Sequence, residues 1–218
     1  MLFDIHHRTR YRYSSPVRLG PQLLRFRPRD DGAQRVLEYS INVNPAPAGQ
    51  NDHLDLEGNR VLQVWFDRES DVLLVDVSMR VETLRDNAFD FILAPEAQTL
   101  PVIPIQDDAF ARAYLERISV DDAVTAFAAD LSLAAGHDTL AFIDRLNRQL
   151  FQQFERVIRQ HGEPQDPSHT LQTRRGACRD LAELFVDCCR AEGIPARFAS
   201  GYQRGDSKRE RLYLHAWP

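Results

Sequence analysis

The sequence predicts an α+β protein in which an antiparallel β domain comes first and a mostly helical domain follows. Up to about residue 84, apolar and polar residues alternate, which is the period of a half-buried strand. From about residue 108, apolar residues recur every three or four positions, which is the period of an amphipathic helix. Three prolines separate the two patterns and exclude a continuous helix there: Pro95, Pro101 and Pro104. We therefore expect an N-terminal β-sandwich-like domain with its linker at residues 1–100 and a second domain at residues 101–218.

Five strand-like segments make up the first domain. The first runs from Phe3 to Tyr13, where every second residue falls on the same side of the chain. The other four follow at residues 22–27, 34–43, 61–66 and 72–84. Residues 45–59 are rich in Pro, Gly, Asn and Asp, and they are expected to form loops and turns. Because no helical stretch interrupts the strands, the domain is expected to be an antiparallel sandwich or a barrel-like sheet.

The second domain is expected to contain four helices and two closing strands. The helices are expected at residues 109–118, at 123–133, from near Asp138 to just before Gly162, and at about 177–192. The third is the clearest, because its apolar residues keep a spacing of three and four. Residues 161–173 are expected to form a loop. Strands are expected at residues 196–203 and 211–217.

The composition is that of an ordinary globular protein. Hydrophobic residues make up 43% of the 218 residues and charged residues 27%, which excludes disorder along the whole chain. The formal net charge of −5 does not favour a nucleic-acid binder, and no apolar run reaches the roughly 18 residues of a membrane span. The three cysteines form neither a disulfide framework nor a C-x-x-C zinc pair. We therefore expect a reducing compartment, the bacterial cytoplasm.

Cys178 is the first candidate for chemistry. It lies in R-R-G-A-C-R-D-L-A, where a helix is expected to begin, and the free N–H groups and dipole of a helix N-terminus stabilise a thiolate. Gly176 lets the backbone bend sharply and lets a substrate approach closely. The alternative is a structural cysteine buried at a helix start. Cys188 and Cys189 lie late in the same helix among apolar residues, and they are expected to pack in the core.

His215 is the candidate base for that thiol. It lies in L-Y-L-H-A-W, on an expected strand whose apolar and aromatic residues would constrain the imidazole. A strand placed against the N-terminus of a central helix can present a histidine to a cysteine, as in papain-like thiol enzymes. The alternative is a hydrogen-bonded histidine of the core, and the separation of the two residues along the chain does not decide between these roles.

Three arginines flank the candidate cysteine: Arg174, Arg175 and Arg179. Their positive charge can stabilise a thiolate or attract an acidic substrate. The alternative is that these side chains are simply solvated or structural. The sequence leaves both interpretations open.

Several motifs together resemble the bacterial transglutaminase-like superfamily, many of whose members are described as cysteine proteases. The core motifs are G-A-C-R-D-L-A, then G-I-P-A-R-F-A-S-G-Y, and finally H-A-W. Upstream, H-x-T-x-Y-x-Y, L-R-F-R-P-R and D-L-E-G-N are similar to the β domain that precedes this core in many bacterial members. The resemblance covers nearly the whole chain. It places the family's catalytic cysteine at Cys178 and its catalytic histidine at His215.

The resemblance implies a papain-like transglutaminase core, in which a central helix packs on a small antiparallel sheet. It also implies thiol-mediated acyl transfer on a peptide or protein substrate, with Cys178 attacking an amide carbonyl and His215 moving the proton. The reaction it favours is hydrolysis, as in a cysteine peptidase or amidase, with no cofactor and no metal. Two alternatives stay open: amine-acceptor cross-linking, and a non-catalytic module that uses this fold to bind or scaffold a partner.

One position departs from the family pattern. In the family, an Asp on the next strand follows the histidine and orients it, whereas this chain ends at Pro218. The third member of the triad is therefore not assigned, and we expect the chain to be a truncated version of a longer protein. The backbone N–H of Cys178 is the expected first donor of an oxyanion hole. Tyr202 and Trp217 can either line the acyl site or pack in the core.

Overall fold

The computed structural model describes residues 1–87, 89–103, 109–117, 120–159, 161–204 and 214–218. The chain forms two compact units, residues 1–91 and 92–218. The first is built from strands and the second is mostly helical. The α+β class expected from the sequence is therefore confirmed.

Six strands form two three-stranded antiparallel sheets in the first unit. They are β1 (Leu2–Arg18), β2 (Gln22–Leu24), β3 (Gln34–Asn44), β4 (Gly49–Leu54), β5 (Arg60–Trp65) and β6 (Glu69–Thr83). One sheet has the order β1-β6-β3 and the other the order β2-β5-β4. Val43 of β3 and Leu73 of β6 share one apolar cluster with Val64 of β5, so this core lies between the two sheets.

Strand β4 corrects the prediction of loops and turns for the whole of residues 45–59. It pairs with β5 along its length, but residues 50–52 are polar and exposed. An edge strand of this kind contributes backbone pairing rather than buried side chains, so no apolar alternation reveals it. The indole ring of Trp65 lies over Gly49, where a larger residue would collide with it.

A single carboxylate holds the turn between β4 and β5. Asp55 accepts hydrogen bonds from the N–H groups of Glu57 (3.1 Å) and Asn59 (2.9 Å) and from the Arg25 guanidinium (3.2 Å). Arg29 donates to the Asn59 side chain at 3.0 Å and to the Glu57 carbonyl at 2.6 Å. The segments L-R-F-R-P-R and D-L-E-G-N are 30 residues apart at Arg25 and Asp55, yet they form one hydrogen-bonded unit.

The second unit contains five helices and two short strand pairs among its described residues. The helices are α1 (Ala109–Leu115), α2 (Asp122–Ala134), α3 (Thr139–Gln153), α4 (Pro167–Thr173) and α5 (Cys178–Ala191), and a 3₁₀ turn spans Pro95–Ala97. The strands are β7 (Glu155–Arg156) parallel to β8 (Arg175–Gly176), and β9 (Ala199–Gly201) antiparallel to β10 (His215–Trp217). α5 is the central helix, because the other four helices, β8 and β10 all pack against it. Its buried Leu184 and Cys188 share a core with Phe142 and Leu146 of α3.

The end of α3 differs from the prediction. The helix stops at Gln153, although suitably spaced apolar residues continue to Ile158. Beyond it, the backbone forms β7 and hydrogen bonds to residues 174–176 instead of continuing the helical ladder. Periodicity alone does not report this change, because Phe154, the next residue of the apolar spacing, is still buried in the helical core.

Helix α4 lies where the sequence predicts a loop, and that prediction is wrong at residues 167–173. The side chain of Asp166 accepts a hydrogen bond from the N–H of Ser168 at 2.9 Å, and Pro167 occupies the first turn. An N-cap aspartate followed by proline is a recognised helix start, so the signal is present in the sequence.

Of the two expected closing strands, the described residues contain parts of both. β9 spans residues 199–201 and β10 spans 215–217, whereas residues 211–213 lie outside the described part of the chain. In the portion that the structure describes, no helix has the length and apolar character needed to cross a membrane.

The Asp55 turn predicts an acid-dependent stability. Its hydrogen bonds, with the N–H of Asn59 first, lower the pKa of Asp55 to about 2. Because the unfolded value is about 3.9, the carboxylate stabilises the fold above that pH and loses this effect as pH falls through about 2. We expect Asp55→Asn to lower Tm at pH 7 and to flatten the fall of Tm between these two pKa values. Thermal unfolding followed by circular dichroism measures both quantities.

The matched control is Asp67→Asn, which removes an exposed carboxylate beside Arg68. It is expected to leave the acid limb of the Tm curve unchanged. Identical curves for the Asp55 and Asp67 variants would contradict the role given to Asp55.

Candidate active site

Cys178 is the first residue of α5 and is half-buried. The residue before it, Ala177, is the N-cap but has no side-chain acceptor. The side chain of Asp180 bonds back to this N-cap residue instead: its Oδ2 accepts a hydrogen bond from the Ala177 N–H at 2.7 Å. The N–H of Asp180 donates to the Ala177 carbonyl at 3.0 Å. These two bonds fix the backbone on both sides of the thiol.

Asp180 is fully buried and is held from three directions. Arg159 donates to both carboxylate oxygens, at 3.1 and 2.6 Å, and the N–H of Gln165 donates at 2.9 Å. Burial by itself raises the pKa of Asp180, but these bonds and the Ala177 N–H outweigh burial and lower it. The carboxylate is therefore ionised at neutral pH and ties the start of α5 to the segment after β7.

Gly176 has a steric role in this arrangement. A Cβ at position 176 would lie 2.9 Å from the Asp180 Cβ and 3.3 Å from a Thr170 methyl carbon. The need for glycine therefore comes from close packing beside the buried carboxylate. Its φ is not among the positive values of the described glycines, so a left-handed backbone is not the reason for glycine here.

His215 begins β10, opposite Gly201 of β9. The imidazole meets the Trp217 ring edge to face, with ring centres 4.9 Å apart. The Trp217 ring in turn lies against Gly201, where an added Cβ would be 3.2 Å away. Burial first, and the charge of Arg156 second, lower the pKa of His215. The neutral imidazole, which can accept a proton, is therefore the favoured form near pH 7.

The structure places the two predicted residues on elements that pack against each other, since β10 contacts α5. Among the hydrogen bonds of the described residues, none joins Cys178 Sγ to the imidazole of His215. Catalytic hydrogen bonds are often long in a ligand-free site and tighten when substrate binds. The arrangement can support a thiol nucleophile with a histidine base.

The three arginines that the sequence singled out all have partners within the protein. Arg174 donates to Gln153, Arg175 pairs with Glu155, and Arg179 donates to the carbonyls of residues 159 and 161. Two of these contacts brace the β7–β8 pair, and the third holds the segment that follows β7. Their structural role is therefore visible.

Arg156, whose charge acts on His215, was not singled out by the sequence. It lies on β7 opposite Gly176, and its side chain is exposed. No partner for its guanidinium exists within the described parts of the chain. The sequence pattern assigned position 156 to the third helix, so it gave no reason to place this arginine near Cys178 or His215.

The other two cysteines are core residues, as the sequence predicts. Cys188 and Cys189 are buried in the helical core. Burial raises the pKa of Cys189 to about 12 and that of Cys188 well above its ordinary value. Neither thiol is suited to be a nucleophile.

The Asp180 network predicts a large stability effect. Asp180→Ala removes the acceptor of Arg159 and of two backbone N–H groups, so we expect the free energy of unfolding to fall by about 3 kcal/mol. Asp180→Asn keeps one carbonyl acceptor and is expected to lose less. Urea denaturation followed by circular dichroism measures the change.

Asp130→Ala is the matched control, because it removes an exposed aspartate from α2. It is expected to change the free energy of unfolding by less than about 0.5 kcal/mol. Equal effects of the Asp130 and Asp180 variants would show that the buried network does not hold the start of α5.

Two family models match the chain. The bacterial transglutaminase-like N-terminal region matches residues 3–82, which form the six-stranded unit. The transglutaminase-like superfamily matches residues 125–218, which include Cys178 and His215. Three uncharacterized proteins, one from Mycobacterium bovis and two from strains of Mycobacterium tuberculosis, are each 26% identical over 233 residues. The match covers 99% of this chain and 72% of each relative.

A solved structure shares the fold. The crystal structure of a "putative cysteine protease" from Cytophaga hutchinsonii superposes with a TM-score of 0.71 at 19% sequence identity. The superposition covers 100% of this chain and 74% of that one. That protein thus has the same fold, with a β unit followed along the chain by a helical core. The chain belongs to the transglutaminase-like superfamily, with a bacterial transglutaminase-like N-terminal region before its core.

Proposed function

We propose that this protein catalyses thiol-dependent acyl transfer on a peptide or other amide, with hydrolysis as its main reaction. Cys178 is the nucleophile and His215 is the base. The observation that carries the proposal is the position of Cys178 at the start of the central helix α5, with β10 and its His215 packed against that helix. Membership of a superfamily that contains thiol enzymes supports it. The proposal also includes a reducing compartment, since the three cysteines are free.

The first half of the reaction forms an acyl-enzyme. The imidazole of His215 is mostly neutral near pH 7, because its pKa is lowered, and it accepts the thiol proton. Sγ of Cys178 attacks the carbonyl carbon and forms a C–S bond. The Cys178 N–H is the first N–H group of α5 and has no intrahelical acceptor, so it can donate to the oxyanion. The C–N bond then breaks, and His215 returns the proton to the departing amine.

The second half restores the enzyme. Water loses a proton to His215 and attacks the thioester carbonyl, the C–S bond breaks, and Cys178 regains its proton as the carboxylic acid leaves. An amine in place of water would give a new amide and would make the protein a cross-linking enzyme. The nature of the product therefore distinguishes the two reactions.

Selective alkylation tests the nucleophile. We expect iodoacetamide at pH 6.5 to label Cys178 before the other two cysteines, because Cys178 is half-buried at a helix N-terminus whereas Cys188 and Cys189 lie in the core with raised pKa values. Mass spectrometry of limited digests of native protein identifies the labelled site, and denatured protein serves as the control in which all three react. Earlier labelling of Cys188 or Cys189 would contradict the assignment of the nucleophile.

Turnover of fluorogenic peptide amides tests the reaction. We expect Cys178→Ala to abolish turnover and His215→Ala to lower kcat by on the order of 10²–10⁴, the usual contribution of a general base. Cys188→Ala is the matched thiol deletion outside the site and is expected to retain turnover. Mass analysis with an added primary amine separates hydrolysis from amide formation. Turnover that survives Cys178→Ala, or its absence on every substrate of a broad panel, would favour a binding module instead.

A further inference from the structure

Arg156 lies on the strand that pairs with the segment directly before Cys178. Its register partner in β8 is Gly176, two positions before Cys178. Its charge reaches His215, since it is one of the two causes that lower the pKa of that imidazole. The guanidinium is exposed, so a ligand can reach it.

The neighbouring charged groups are already committed to other partners. Glu155, the adjacent residue, pairs with Arg175 at 3.3 Å, and successive side chains of a strand point to opposite faces. The buried Asp180 is held by Arg159. Among the described residues, none accepts a hydrogen bond from Arg156 or forms an ion pair with it. The N–H donors of its guanidinium are therefore available to an acceptor on a bound ligand.

A bare cation is an unfavourable neighbour for a catalytic base. It opposes the positive charge that His215 must carry after it accepts the thiol proton. A bound anion would remove that opposition. Guanidinium also binds a carboxylate through two parallel N–H···O bonds, which sets the orientation of the bound group as well as its charge.

We propose that Arg156 is a substrate-binding residue that pairs with a carboxylate close to the scissile carbonyl, so that the enzyme selects acidic acyl substrates. The proposal rests on the proposed function, because it assigns the specificity of the same site. The substrate class is a peptide or amide that presents an acidic side chain or a free carboxylate next to the bond that Cys178 attacks.

Two alkylating reagents of nearly the same size test this without a known substrate. Iodoacetate carries a carboxylate and iodoacetamide is neutral, so the ratio of their rates at Cys178 reports the local preference for an anion and cancels the reactivity of the thiol itself. We expect Arg156→Gln to lower this ratio by about 5- to 10-fold, the size expected for loss of one charge near the thiol. Arg156→Lys is expected to restore part of it.

Two control variants separate a local effect from a general one. Arg148→Gln removes the same charge from an exposed arginine that pairs with Asp144 on α3, and it is expected to leave the ratio unchanged. Arg175→Gln removes a charge that is paired with Glu155 on the neighbouring strand. An equal fall of the ratio in the Arg175 and Arg156 variants would overturn the assignment to Arg156, since it would show a diffuse potential.

A binding measurement separates this inference from the proposed function. In Cys178→Ala protein, succinamate, which carries both an amide and a carboxylate, is expected to shift the NMR signals of His215 in a saturable way. Butyramide, its uncharged analogue, is not. Adding Arg156→Gln should abolish the succinamate response.

The outcomes are distinct. A succinamate response that depends on Arg156, together with an unreactive Cys178, would support the anion site and refute the nucleophile. A reactive Cys178 with no preference for iodoacetate and no succinamate response would leave the nucleophile in place and overturn the role of Arg156.

Discussion

The buried carboxylate of Asp180 fixes the backbone on which the candidate nucleophile depends. It is removed from water, which is costly for a charge, and the cost is offset by an arginine and two backbone N–H groups. One of those N–H groups belongs to Ala177, the N-cap of α5. The hydrogen bond that stabilises the carboxylate therefore also fixes the residue directly before Cys178. It is the side-chain bond that holds this end of α5, because the N-cap is alanine and has no side-chain acceptor of its own.

A hydrogen-bonded carboxylate also organises the backbone of the β unit. Asp55 collects the N–H groups of a tight turn and two arginines brace that turn from a distant segment. In both units a carboxylate organises irregular backbone that no hydrophobic pattern could specify. Three of the six motifs that carry the family resemblance contain these organising residues: L-R-F-R-P-R, D-L-E-G-N and G-A-C-R-D-L-A.

The sequence predicted those parts of the fold whose apolar periodicity matches their environment. Strand β6 and the helices α2 and α5 fall in this class, because one face of each is buried. In β3, and in β1 up to residue 10, half-buried or buried residues alternate with exposed ones. The missed elements are held by backbone pairing or by caps instead. β4 is a polar edge strand. β7 is flanked by Phe154, Val157 and Ile158, whose apolar spacing continues that of α3 although the backbone has left the helix.

Backbone pairing that the sequence pattern does not reveal also limited the prediction of the candidate site. Cys178 and His215 are candidates because a helix start and a motif mark them, whereas the sequence around Arg156 carries no such signal. Its position follows from a two-residue strand pairing that brings residues 155–156 beside residues 175–176. Conversely, the arginines next to Cys178 in the sequence attracted attention by proximity, yet their side chains brace the fold. Nearness to Cys178 along the chain was therefore a poor guide to which arginine has no partner among the described residues.

Burial and the charge of Arg156 both act against protonation of the candidate base. They disfavour an imidazolium at His215. Moving the thiol proton to the imidazole creates that charge, so both effects oppose the step. If Arg156 binds a substrate carboxylate, its opposition is cancelled when substrate arrives and not before. His215 could then hold the proton until the leaving amine takes it, and formation of the reactive ion pair would be coupled to binding of the acidic substrate.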